Sequence, residues 1–131
     1  MIVVDASLLV DALVGGSSGD AAQAALGDGD EEVAAPAVLP AEALSGVRSL
    51  MLRKVISRPL AMQAVSGIAS LRIPLYPFEP FVERVWELRD NVTVYDAWYV
   101  ALAEALDVPL LTADRRLAET PGARCEVRLV R

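Results

Sequence analysis

Four acidic residues, Asp5, Glu42, Asp96 and Asp114, stand where an apolar strand should end or an apolar helix should run inward. Burying a charge is costly unless it is paired, so acids are ordinarily pushed to solvent. The carboxyl edge of a parallel sheet is an exception, because polar groups there line a ligand crevice. Four carboxylates at such an edge repel one another and call for a cation. The chain has no histidine and a single cysteine, Cys125, so the usual zinc ligand sets are missing. The expected ion is hard and oxygen-seeking, Mg²⁺ or Mn²⁺. Such ions on carboxylates usually act on phosphate esters.

Taken singly, each acid also has an ordinary structural reading. Asp5 and Asp114 suit turns or helix caps, and Glu42 and Asp96 suit the positive end of a helix dipole. The functional case rests on the four together. Other chemistries fall away. Without histidine there is no Ser-His-Asp triad and no two-histidine ribonuclease arrangement, and the lone cysteine has no histidine partner. Gly15-Gly16-Ser17-Ser18-Gly19 follows a helix and lacks the Lys-Ser/Thr ending of a phosphate-binding loop, so it is expected to be a connection.

The elements that must position these acids can be read from the apolar pattern. Ile2-Val3-Val4 is a β-branched strand ending at Asp5, and Ser7 is placed to cap a helix over Leu8 to Val14. Asp20 to Leu26 reads as a short helix stopping at Gly27, followed by a solvated acidic turn, Asp28 to Glu32, and a strand, Val33 to Ala35. Pro40 opens a helix to about Lys54, with Leu39, Ala43, Leu44, Val47, Leu50 and Met51 on its inward side. A second helix, Pro59 to about Ser70, makes an αα-hairpin with it. Ile73 to Tyr76 is the third strand, and Phe81, Val82, Val85, Trp86 and Leu88 follow at helical spacing. Tyr95 to Leu106 is a helix, and Leu110-Leu111-Thr112 a buried strand leading to Asp114. A short helix, a Pro121-Gly122 turn and a strand from Cys125 to Val130 complete the chain. Trp86 and Trp98 are expected in the core or at an interface. Strands alternating with helices imply an α/β fold, a three-layer α/β/α sandwich on a mostly parallel sheet.

Composition sets the outer bounds. The 131 residues are expected to form one domain spanning 1–131. A hydrophobic fraction of 54% is high for a monomer's core alone and favours a partner or dimer. No apolar run reaches membrane-spanning length and no leader pattern follows Met1, so no membrane association and a cytoplasmic setting are expected. The formal charge of −6 argues against broad electrostatic adhesion to nucleic acid and for specific contact. Two divalent ions in the acidic cluster would leave nearby arginines to dominate the local field. Arg48, Arg53, Lys54 and Arg58 form either a solvated face or a rim for an anionic partner.

Four segments, Ile2-Val-Val-Asp5-Ala-Ser7, Pro36-Ala-Val-Leu-Pro40-Ala-Glu42-Ala-Leu, Tyr95-Asp96-Ala-Trp-Tyr-Val-Ala-Leu-Ala and Leu110-Leu-Thr112-Ala-Asp114-Arg115-Arg116-Leu, occur in order and with fitting spacing. In this the chain resembles the PIN-domain ribonucleases of the VapC toxin type, over essentially its whole length. The resemblance implies that Asp5, Glu42, Asp96 and Asp114 are the catalytic, metal-binding carboxylates, with Ser7 and Thr112 as supporting hydroxyls. It also implies an RNA substrate, a cognate VapB-type antitoxin and a homodimer. Arg115 and Arg116 stand where some members carry a further acid, so one or two ions remain open. The two arginines are candidates for contact with phosphate or with a partner. The expected activity is that of a Mg²⁺- or Mn²⁺-dependent endoribonuclease. The alternative is a catalytically inactive PIN-like binding module. Phosphatase and receiver-domain readings are disfavoured: Ser7 stands where the former needs a second aspartate, and the latter needs a lysine after a late strand.

Overall fold

The computed structural model describes residues 1–16, 18–27 and 30–131. The expected glycine loop through Ser17 and the acidic turn through Asp28 and Gly29 therefore lie partly outside the described residues. Strand β1 (Ile2–Val4) is buried along its whole length, as expected for β-branched residues in a sheet covered on both faces. Asp5 keeps extended backbone and starts α1 (Ala6–Val14) by accepting the Leu8 N–H; Gly15, at φ 70°, ends that helix in the left-handed conformation. Helix α2 (Gly19–Gly27) and strand β2 (Val33–Pro36) follow. Pro40 sits in the first turn of α3 (Leu39–Leu52), where its missing N–H costs nothing. Helix α4 (Arg58–Ala69), capped by Ser57, folds back on α3 as the expected hairpin.

Strand β3 (Leu75–Tyr76) leads through a 3₁₀ turn at Glu79–Phe81 into α5 (Val82–Glu87). Helix α6 (Val94–Leu106) is capped by Thr93 and buries an unbroken run from Ala97 to Ala103. It is followed by β4 (Leu110–Thr112), α7 (Arg115–Ala118) and β5 (Val127–Leu129). The sheet runs β3-β2-β1-β4-β5 with every pairing parallel. The chain steps outward from β1 to β2 and β3, then crosses back to β4 on the other side of β1. Strand order thus reverses between β1 and β4, the place where an open α/β sheet forms its ligand crevice.

Side chains of the central strands alternate between two cores. Val3, with Ala35 and Leu110, joins the larger one with Leu39, Ala43, Val47, Val85 and the buried run of α6. Ile2 and Val4 face the other way, with Leu8, Ala22 and Leu111. Helices therefore cover both faces, as a sheet of this pattern requires. Away from the crevice, Arg84 of α5 donates from Nε and Nη2 to the two carboxylate oxygens of Glu104 on α6 at 2.7 and 3.0 Å, and from Nη2 to the Gly122 carbonyl at 2.8 Å. That fork ties three segments together and occupies the guanidinium. Among the described residues, no helix is long and apolar enough to cross a membrane.

Several local expectations change. Asp5, and not Ser7, caps α1; both residue types cap well, and the chain leaves β1 with Asp5 already extended. Leu44 is exposed, because the inward stripe of α3 is the narrower Leu39-Ala43-Val47 row. Trp98 is buried and meets Phe78 edge to face, with ring centroids 5.0 Å apart. Trp86 is 62% exposed, with the Arg89 guanidinium 4.7 Å above its ring, so it lies outside the core. The third strand shrinks to Leu75–Tyr76, since Pro74 cannot donate to a ladder. Cys125 precedes β5 and is half-buried, and burial pushes its thiol up to about 11.

Candidate active site

The crevice is built on the paired ends of β1 and β4. Asp5 N–H donates to the Leu111 carbonyl, and the Asp5 side chain is 5% exposed. Its Oδ1 accepts from Leu8 N at 3.0 Å and from Ser7 Oγ at 2.8 Å, while Oδ2 accepts from Thr112 Oγ1 at 2.6 Å. The same hydroxyls also accept. Ala113 N–H donates to Ser7 Oγ at 3.1 Å and Asp114 N–H to Thr112 Oγ1 at 2.9 Å. The two residues expected as supporting hydroxyls thus bind Asp5 with their protons and brace the turn to Asp114 with their lone pairs. Even so, burial pushes the Asp5 carboxyl up to about 6, with the Asp96 charge adding to the rise against the lowering effect of Thr112, Leu8 and Ser7.

The other acids arrive on helix starts. Glu42, in the first turn of α3, is half-buried and accepts from Tyr99 Oη at 2.7 Å. Asp96 occupies the first turn of α6, one turn before Tyr99. Asp114 caps α7 by accepting the Arg116 N–H at 2.9 Å. Glu42 and Asp96 are raised from their ordinary values, each first by burial; Asp96 then raises Glu42, and Asp114 raises Asp96. Asp96 is the common member, since its charge is felt at Asp5 and Glu42 and it feels Asp114.

Among the described residues, none of these four acids takes part in an ion pair. Nor do any three acids already stand grouped as a metal cage among them. Their chemistry fits a hard divalent cation: oxygen donors only, like charges near one another and no ion-pair partner among the described residues. Arg115 and Arg116 are exposed on the rim beside Asp114. Arg48, Arg53, Lys54 and Arg58 are exposed at the α3–α4 end of the hairpin.

Tyr99 is the member of this site that sequence reasoning missed. Its ring is buried in the apolar run of α6.

Comparison with known proteins bears on the fold and the family. The model of the PIN domain family matches residues 2–123. Ribonuclease VapC1 of Mycobacterium tuberculosis is 47% identical over 131 residues, covering 98% of this chain and 97% of its own length. Ribonuclease VapC12 of the same organism is 39% identical over 130 residues, with 99% of both chains covered. Among solved structures, the fold is similar to that of Mycobacterium tuberculosis VapC20, a sarcin–ricin loop cleaving toxin, with a TM-score of 0.64 at 15% identity, covering 90% of this chain and 93% of that one. VapBC2 from Rickettsia felis, bound to a DNA fragment from its promoter, gives a TM-score of 0.68 at 16% identity over the full length of both chains.

Proposed function

The chain belongs to the PIN-domain family as a VapC ribonuclease, the toxin of a VapBC toxin–antitoxin system, and from that premise we propose that Asp5, Glu42, Asp96 and Asp114 hold Mg²⁺ or Mn²⁺ for the hydrolysis of phosphodiesters in RNA. The observation that carries this reading is the crevice itself: four carboxylates at the reversal of strand order, three of them raised first by burial and then by a neighbouring acid, with no cationic side chain paired to them among the described residues.

A divalent ion held there by Asp5, Glu42, Asp96 and Asp114 would supply an activated water and charge neutralisation at the phosphate. The chain's own groups do the positioning. Ser7, Thr112 and the Leu8 N–H hold Asp5 at the base of the crevice, Tyr99 holds Glu42, and the Arg116 N–H holds Asp114. Locking rotamers in advance reduces the reorganisation needed at the moment of reaction. Arg115 and Arg116, exposed beside Asp114, would meet charge developing on phosphate.

The reading treats residues 1–131 as one such domain acting in the cytoplasm on RNA, as a homodimer and under a cognate VapB-type antitoxin. Support for a partner comes from the apolar side chains left exposed on the α3–α4 hairpin, Leu44, Leu52, Val55 and Met62.

Mapping of RNA ends tests the mechanism. Direct attack of water on phosphorus with departure of the 3′-oxygen leaves 5′-phosphate and 3′-hydroxyl ends. Cleavage should stop with EDTA and return with Mg²⁺ or Mn²⁺. Ends bearing 2′,3′-cyclic phosphate, formed in the presence of chelator, would remove the carboxylates from the chemistry. Failure of the folded protein both to bind divalent ions and to cut RNA would favour the inactive binding module.

A further inference from the structure

Beside the acidic crevice, past the end of β4, lies a cleft of about 400 Å³ lined by Ser18, Ala113, Arg115, Leu129 and Arg131. Its wall is continuous with the site: Ala113 stands between Thr112 and Asp114, and the Val130 N–H donates to the Thr112 carbonyl at 2.8 Å, holding the end of β5 against the end of β4. Two arginines therefore line one cleft next to a cluster of acids. Among the described residues neither Arg115 nor Arg131 forms an ion pair, whereas Arg84, Arg124 and Arg128 are each paired with glutamate. Two arginines that line one cleft without an ion pair among the described residues make a place for an anion of tetrahedral or planar shape.

A strand of RNA lying in the crevice must continue over one of its shoulders. The shoulder between α1 and α3 is lined by apolar groups, among them Ala6, Val10 and Leu50, and carries two acids, Asp11 and Glu42, against the single cation Arg53. Phosphates are poorly received there. The β5 shoulder has the opposite character, with Arg115 and Arg131 over an apolar wall of Ala113 and Leu129. Ser18 is buried and brings no charge to the cleft. The arginines must do the recognition.

We propose that this cleft holds a phosphate of the RNA strand next to the one that is cut, with Arg131 as its positioning residue and Arg115 shared between cleft and crevice. It rests on the ribonuclease reading, and it adds a direction: the strand leaves the crevice over β5 and not over the α1–α3 groove.

The test uses the full chain, a single-stranded oligoribonucleotide that it cuts, and the same RNA carrying one neutral methylphosphonate at each flanking linkage in turn. Arg131→Gln should raise KM about fivefold at unchanged kcat, as expected for loss of one exposed ion pair. The slope of log binding constant against log salt should shrink by about 0.7, the value for one phosphate contact on a single strand. One methylphosphonate should weaken wild type to the same extent and leave Arg131→Gln no weaker than before. Arg131→Lys should recover most of the loss.

Equal KM and equal salt slope for wild type and Arg131→Gln would overturn the proposal, as would penalties from variant and methylphosphonate that simply multiply. Intact RNA cleavage with weakened co-purification of the antitoxin would assign the cleft to a protein carboxylate instead. Fluorescence anisotropy of the uncut oligoribonucleotide keeps the two readings apart. Absent cleavage with Arg131-dependent binding would sink the ribonuclease reading alone, and binding indifferent to Arg131 would sink this one.

Discussion

Tyr99 Oη lies 2.7 Å from Glu42 Oε1, and this single bond joins the middle of α6 to the first turn of α3 beneath the acidic crevice. Each group answers a need of the other. A buried phenol without a partner would cost free energy in the core, and a half-buried carboxylate gains a donor that offsets part of its desolvation. Burial and the neighbouring carboxylates raise the Tyr99 pKa well beyond its ordinary value, so it remains a proton donor at any working pH.

Removing that donor should therefore be felt in activity more than in folding. Tyr99→Phe is expected to lower stability by about 1 kcal/mol, the usual net worth of one hydrogen bond. RNA cleavage should drop roughly tenfold through a loosened Glu42. Denaturant unfolding and steady-state cleavage across a Mg²⁺ titration would check both. Unchanged kinetics and metal response would mean that Tyr99 plays no part in holding Glu42 for catalysis.

Asp96 feels or influences each of the other three acids, so neutralising it should relieve repulsion in the metal-free protein. Asp96→Asn is expected to raise the metal-free thermal midpoint while abolishing cleavage and growth inhibition. The Thr93 cap of α6 accepts the backbone N–H of residue 96 and survives the change. Wild-type cleavage by the folded variant would be incompatible with the assigned role.

Asp5 gives the clearest pH dependence. Its folded pKa, about 6, lies above the ordinary 3.8, so the folded state holds this proton more tightly than the unfolded chain does. The associated stability is fully present below about pH 4 and is lost as pH rises through 6, an effect on the order of 3 kcal/mol. Glu42 and Asp96 are raised as well and act in the same direction. The metal-free protein should thus be more stable at pH 5 than at pH 7, and Mg²⁺ binding should weaken as pH falls through 6. Urea unfolding of wild type and Asp5→Asn at both values is the measurement, and equal pH responses in the two proteins would contradict it.

Association should match the apolar surface left uncovered. Sedimentation at micromolar concentration is expected to show a dimer, and co-expression with an antitoxin from the adjacent reading frame should restore growth and yield a complex. A strict monomer would argue against the homodimer, and failure to co-purify would count against that antitoxin.

The four acids and the apolar segments carrying them were legible because both are local patterns. A β-branched run ending in aspartate, or a proline followed two residues later by glutamate, needs no distant partner to be recognised. The absence of histidine, together with a lone cysteine, narrowed the choice of ion by residue type alone. Local pattern was weaker where two residues could do one job: Asp5 and Ser7 are both good caps, and only the arrival of Thr112 beside them shows how the work is divided. Spacing also identifies a helix face without saying what covers it, which is why Trp98 is buried and Trp86 is not.

Tertiary structure decided everything that depends on which chain segments meet. The bond from Thr112 to Asp5 spans 107 residues and that from Tyr99 to Glu42 spans 57, and nothing in the neighbourhood of either residue specifies its partner. The order β3-β2-β1-β4-β5 sets these contacts. By placing β4 directly beside β1, it turns two strand ends far apart in sequence into one crevice. Burial there raises Asp5, and mutual repulsion among Asp5, Glu42, Asp96 and Asp114 exists only because the sheet brings them to one edge. Residue types determined which charges were available; parallel pairing of β1 with β4 determined that they would face one another.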